Sequence, residues 1–204
     1  YVLYYAPELY DEGEYVWRDP AADLPPMRLT VPLDEYIIDT SSDPDRDYYE
    51  FLSQPPVERV ERVYSIDEVL YSARVRDKAR RIDLDTIKFA TGSAEIPMNE
   101  ASSLRQVAEA MNKILEENPA ETFLIEGHTD AVGSDEDNLI LSDERAESVA
   151  VVLADAFGIP PENLTTQGYG ERYLKIRTEG AEQENRRVTI RRITPLVKPV
   201  ASNQ

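Results

Sequence analysis

The sequence predicts an α/β domain of the α+β type: a βαβαββ order forming one mixed sheet with helices packed on one face, preceded by an irregular N-terminal extension. Two observations carry this. Between residues 82 and 193, segments of strand period and helix period alternate before two strands close the pattern. The first sixty residues, by contrast, sustain no helical period. Two helical crossovers imply parallel neighbouring strands, and a mixed sheet is the natural way to accommodate them.

Ser65-Ile-Asp-Glu68 reads as a capping box, and Ile66, Val69, Leu70 and Ala73 follow at helical spacing, so residues 65–81 form a lead-in helix. Ile82 to Phe89 alternates apolar and polar residues, the mark of a strand with one buried face. After the loop from Ala90 to Ile96, Asn99 can cap a helix that reaches Asn118. Its apolar stripe is Leu104, Val107, Ala108, Met111, Ile114 and Leu115. Thr122 to His128 is a second strand. A long helix then runs from about Ser134 to Phe157, closed by Gly158 in the left-handed conformation with Pro160 beyond. Leu164–Gly170 and Arg187–Ile193 read as two more strands, joined by a polar loop over 171–186. The domain thus spans 82–194, and 195–204 form a loose tail.

Residues 1–64 differ in kind. The first sixty hold 14 Asp/Glu against 4 Lys/Arg, with 8 of the 14 prolines and 8 of the 12 tyrosines. The prolines cut this stretch into pieces too short for helices, leaving Arg28 to Asp39 as its one strand-like run. Two readings stand: an extended linker with a few docked turns, or a partner-binding arm that uses its tyrosines. Asp43, Asp45 and Asp47 do not make a calcium loop, because the sixth and twelfth places hold Tyr48 and Gln54 rather than Gly and Glu.

The totals exclude several functions. A net charge of −18 opposes binding to nucleic acid or an anionic membrane surface. The absence of cysteine removes disulfides, thiol nucleophiles and cysteine-bound zinc, and a single histidine, His128, rules out a two-histidine metal site. No run of about 18 apolar residues spans a bilayer. The first residues do not read as a signal peptide, so the sequence is expected to be a trimmed piece whose export signal or anchor lies elsewhere.

One residue sits on an unexpected face. Leu141, Arg145, Val149, Val152 and Ala156 recur at helical spacing, which puts a guanidinium on the stripe facing the sheet. A buried, unpaired guanidinium costs several kcal/mol or more, so an anion must meet it. Asp130, just past the C-terminal end of the second strand, is the nearest well-placed candidate. The two charges can neutralise each other as an internal pair. Alternatively they can bracket a zwitterion, with Asp130 on its ammonium and Arg145 on its carboxylate.

Five stretches then stand in order: Phe89-Ala-Thr-Gly-Ser-Ala-Glu-Ile96, Ile125-Glu-Gly-His-Thr-Asp130, Asn138-Leu-Ile-Leu-Ser-Asp-Glu-Arg-Ala-Glu-Ser-Val149, Leu164-Thr-Thr-Gln-Gly-Tyr-Gly170 and Asn185-Arg-Arg-Val188. Together they resemble the OmpA-like peptidoglycan-binding domain of OmpA, Pal and MotB proteins. The resemblance implies a non-enzymatic, cofactor-free module of the Gram-negative periplasm. Its ligand would be the meso-diaminopimelate of the peptidoglycan stem, held by Asp130 and Arg145, and it would tether the outer membrane side of the envelope to the wall. It further implies that the backbone at Gly92 and Ser93 lines the pocket and that Asn138 and Arg186 make secondary contacts. The family often has a polar residue where Gly92 stands, so only backbone contact is expected there.

Two rival classes remain. In an envelope protein-interaction module, Asp130 and Arg145 would be an internal ion pair. A wall hydrolase would need Glu126 and Asp130 as its carboxylates, but side chains four apart at a strand end diverge, and Arg145 would keep Asp130 ionised.

Overall fold

The computed structural model describes residues 15–17, 27–29, 37–39, 47–84, 87, 89–96 and 104–198. A first unit, Tyr1–Ile37, contains the antiparallel pair β1 (Tyr15–Trp17) and β2 (Met27–Leu29), with Val16 opposite Arg28. The second unit, Ile38–Gln204, holds everything that follows. A short strand, β3 (Ile37–Asp39), falls at the junction in sequence. Of the expected strand-like run over Arg28–Asp39, the described residues at its two ends lie in β2 and β3, and the rest falls outside the described residues.

The sheet of the second unit is built on β4 (Arg81–Asp83), β5 (Phe123–Gly127), β6 (Leu164–Gly168) and β7 (Val188–Arg192). Its order is β4-β7-β5-β6, with β7 antiparallel to both β4 and β5, and β5 parallel to β6. Both crossovers join parallel strands, as the pattern required. The first pair is not adjacent, however, because the last strand inserts between β4 and β5. Strand period alone carries no information about that insertion. The first strand is also shorter than expected: among the described residues beyond Asp83, the Leu84 N–H still donates to Val188 O, while the Ile87 N–H turns back to Leu84 O.

Alternation along β5 assigns the two faces. Phe123 and Ile125 join the main core with Val188 and Ile190 of β7 and the helices α1 (Tyr48–Ser53), α4 (Arg105–Glu117) and α5 (Asp135–Phe157). All six positions of the expected α4 stripe are buried, whereas Asn99, its proposed cap, lies outside the described residues. On α5 the buried stripe is Asn138, Ser142, Arg145, Ala146, Val149 and Leu153. It is rotated slightly from the expected one: Leu141 and Val152 are half-buried and Ala156 is exposed. Ser134 caps α5, and Gly158 closes it at φ 72°.

Leu124 points to the other face and packs with Val69, Leu70, Ala79, Ile193 and Leu196. The long helices share one face as expected, but the second face is also covered, by α2 (Ile66–Tyr71), α3 (Ala73–Arg76) and α6 (Thr194–Val197). The capping box is present, with Ser65 Oγ accepting from Glu68 N–H and Glu68 returning the bond to Ser65 N–H. The lead-in is two short helices rather than one, broken at Ser72, whose extended backbone interrupts the helical path.

Two boundaries move. The extension was expected to run to residue 64, yet Asp47 caps α1, whose Tyr48, Phe51 and Leu52 are part of the main core. The tail was expected to be loose from Pro195, yet Leu196 is fully buried and its carbonyl accepts from Tyr64 N–H. In both places a few apolar side chains find an unfilled sheet or helix face, which outweighs the local turn chemistry.

Candidate functional site

The C-terminal ends of β5 and β6 carry Gly127 and Gly168, which pair across the parallel ladder. A Cβ added at Gly127 would sit 1.8 Å from the Ser142 carbonyl oxygen, and one at Gly168 would sit 2.4 Å from Asp143 N. Only glycine permits the α5 backbone to rest this directly on the strand ends. Ser142 Oγ then accepts from Gly170 N–H at 2.8 Å, and the Asp143 carboxylate accepts from Gly168 N–H. One turn further on, Arg145 reaches across the strand end.

Arg145 is 1% exposed. Its Nε donates to Ser93 O at 3.0 Å, one terminal nitrogen to His128 O at 3.3 Å and the other to Ala90 O at 3.3 Å. Its guanidinium lies 4.9 Å from the centre of the Phe89 ring. No carboxylate forms an ion pair with it among the described residues. Burial and neighbouring Arg186 push its pKa down to about 10, with Asp130 opposing them. The group is still a cation at neutral pH, held among the described residues by carbonyl dipoles and the Phe89 ring.

Asp130 is also buried, and its direct partner is Arg186 rather than Arg145. The Arg186 guanidinium donates to Asp130 Oδ2 at 2.5 Å, and Glu182 N–H reaches the same oxygen at 3.3 Å. Gln183 accepts from the second Arg186 nitrogen. This corrects the expected pairing: any internal ion pair here is Asp130–Arg186, and Asp130 acts on Arg145 only through space. Arg145 lies under the 90–93 turn, bonded to the carbonyls of Ser93 and Ala90.

The other expected site residues divide. The Ser93 backbone carbonyl accepts from Arg145, while its hydroxyl accepts from Glu95 N–H. Gly92 takes φ 67° in the same turn, with open space where a Cβ would be. Asn138 faces Glu171, donating to it at 2.8 Å, and touches neither Asp130 nor Arg145 by a hydrogen bond. It is a loop-fixing residue.

A second charged cluster escaped the sequence reading. Glu126, 1% exposed, accepts from Arg191 Nε at 3.0 Å and Thr189 Oγ1 at 2.7 Å, and forms an ion pair with Arg76, whose Nε lies 2.8 Å away. Burial disfavours its charge, but Arg191 and the neighbouring cations outweigh that and hold the carboxyl far below the usual range. A carboxylate held ionised in this way is unsuited to the general-acid role. The alternation of β5 placed Glu126 on the face opposite the main core, and an exposed glutamate is the usual occupant of such a position.

His128 is sealed beside this cluster, its ring stacked 5.8 Å from that of Tyr169. Burial and Arg187 push its pKa down to about 3, against the pull of Glu126. Because the unfolded ring titrates near pH 6.5, the unfolded chain binds the extra proton between about pH 6.5 and 3. Stability from this group is therefore complete above about pH 6.5 and is lost as pH falls. The expected slope is up to about 1.4 kcal/mol per pH unit. His128 is the only histidine, so denaturant melts at pH 7, 6 and 5 should show this slope in the parent and not in His128→Gln.

Among the described residues, no cluster of His, Cys, Asp or Glu could hold a metal ion, and no helix is long and apolar enough to cross a membrane.

Comparison with known proteins adds three findings. The OmpA family model matches residues 88–188. Outer membrane porin F of Pseudomonas aeruginosa is 33% identical over 91 residues, covering 45% of this chain and 25% of that protein. The putative lipoprotein YfiB of Escherichia coli is 44% identical over 73 residues, covering 35% of this chain and 46% of that protein. The chain thus spans less than half the length of these curated relatives. Among solved structures, the peptidoglycan-associated lipoprotein from Burkholderia pseudomallei aligns with a TM-score of 0.43 at 26% identity, covering 52% of this chain and 86% of that one.

Proposed function

We propose that this domain, whose residues 88–188 match the OmpA family model, binds peptidoglycan without chemistry, by holding the free amino-acid end of a diaminopimelate stem. The carrying observation is the partner set of Arg145: a buried guanidinium bonded only to carbonyls, with no carboxylate in contact among the described residues. A ligand carboxylate supplies the missing anion. It would take over donors now shared with Ala90 and Ser93 of the turn, and charge-assisted bonds are roughly twice as strong as neutral ones. Asp130, oriented by Arg186 and Glu182 N–H, receives the ligand's ammonium. A group carrying both signs is then recognised by two fixed charges, which a simple anion or a simple amine would not satisfy.

One stem offers few contacts, so affinity for a single stem is modest. A wall polymer presents many stems, and an anchored protein meets them at high effective concentration. This suits a reversible tether in the periplasm, attached to the outer membrane by a part of the protein outside this sequence.

Co-sedimentation with purified sacculi tests the reading. The parent chain is expected in the pellet, releasing no soluble muropeptide. Arg145→Ala and Asp130→Ala are expected in the supernatant while retaining a cooperative unfolding transition. Pelleting of both folded variants would place the contact elsewhere, and muropeptide release would make the domain a hydrolase.

A further inference from the structure

The segment before the domain wraps the sheet. Its helix α1 lies in the main core, while α2 and α3 cover the opposite face. Backbone bonds tie the path down: Val57 N–H to Lys78 O, and Tyr64 N–H to Leu196 O. Arg192 donates to Leu52 O and Arg80 to Pro55 O.

Two residues of this strap contact the loop that builds the Asp130 site. Arg76, 2% exposed, bonds Glu126 and Leu70 O and lies over two rings, 4.1 Å from the centre of Tyr169 and 4.8 Å from that of Tyr173. Tyr169 in turn donates its hydroxyl to Leu70 O at 2.8 Å. Tyr169 follows β6 directly and Tyr173 stands in the loop four residues on; Tyr169 N–H bonds Gly127 O, and Gly170 O accepts from Thr129 N–H. Tyr173 O accepts from Arg187, and the Arg187 carbonyl accepts from His128 N–H. The peptide from His128 to Asp130 therefore hangs between Gly170 and Arg187, both held through tyrosines that Arg76 clamps.

We propose that Arg76 is a positioning residue for the Asp130–Arg145 site, so that docking of α2–α3 and occupation of the site are thermodynamically coupled. The coupling is reciprocal: whatever loosens the strap weakens the ligand, and the ligand tightens the strap. A pull or a partner acting on the segment before the domain would thereby alter the grip on the wall. This inference rests on the ligand reading above, but its structural half does not.

The test uses the whole 204-residue chain, with Arg76→Ala, Arg76→Lys and the milder Tyr169→Phe, which removes only the bond to Leu70 O. Hydrogen exchange is followed at 65–80, 128–132 and 182–187, with and without a diaminopimelate-containing tetrapeptide. The coupling predicts faster exchange at 128–132 and 182–187 in variants that keep a cooperative melt. It also predicts tetrapeptide affinity lowered by about fivefold or more, and slower exchange at 65–80 when the parent binds. Loosened 65–80 with unchanged exchange at 128–132 overturns the proposal, as does unchanged affinity. If the parent binds no tetrapeptide, the wall reading fails by itself and the exchange arm still decides the clamp.

Discussion

Replacing Glu126 with alanine is expected to destabilise the domain by about 3–5 kcal/mol, the cost of removing one partner from a buried ion pair. Glu126 forms ion pairs with both Arg76 and Arg191, which are almost fully buried. Arg191 keeps Asp77 at 2.8 Å and the carbonyl of Ala79, so part of its charge stays compensated. Arg76 keeps no carboxylate among the described residues, its remaining contacts being Leu70 O and the side chains of Tyr169 and Tyr173. The loss is a large share of what a domain of this size has in total, so urea melts should show either a much lower midpoint or no folded baseline. Breaking the surface pair of half-buried Lys78 and exposed Glu58 should lower the midpoint far less, because solvent screens the carboxylate. Comparable midpoints for the two variants would mean that the buried cluster contributes little.

Substitution of Gly127 by alanine is the second large effect. Its Cβ would meet backbone, not the flexible end of a side chain, since the Ser142 carbonyl carbon lies 2.7 Å away behind the oxygen. Helix α5 must lift from β5, which costs about 1–3 kcal/mol or more in a packed core. The same movement carries Arg145 away from His128 O. Gly127→Ala should therefore lose both stability and ligand affinity. By contrast Gly92→Ala meets no neighbour and carries only the strain of its positive φ. A folded Gly127→Ala variant with full affinity would show that α5 can move without disturbing Arg145.

Much of this was legible in the residues. A cation at position 145 on a sheet-facing stripe is a local, periodic signal, and the structure buries it. The caps at Ser65, Ser134 and Gly158 are equally local. Partners across irregular chain are not. Arg186 meets Asp130 from a polar loop with no period, so counting along helices could only propose Arg145. Glu126 is joined to Arg76 and Arg191 by contacts across 50 and 65 positions, and an acidic residue on a strand's second face reads as solvent-facing unless that face is known to be covered. The covering helices α2 and α3 were found, but the segment was read as leading into the domain rather than lying across it. For the same reason α1 was read as linker: six residues bounded by prolines carry too little pattern to declare a core helix.

Arg145 is the proposed receptor of a ligand carboxylate, and calorimetric titration with two tetrapeptides tests that role most directly. One bears diaminopimelate with its free carboxylate, the other the same residue amidated. The parent chain should bind the free acid and lose at least tenfold, about 1.4 kcal/mol, on amidation, while folded Arg145→Ala should bind both weakly and alike. Equal affinity of the parent chain for acid and amide would contradict it.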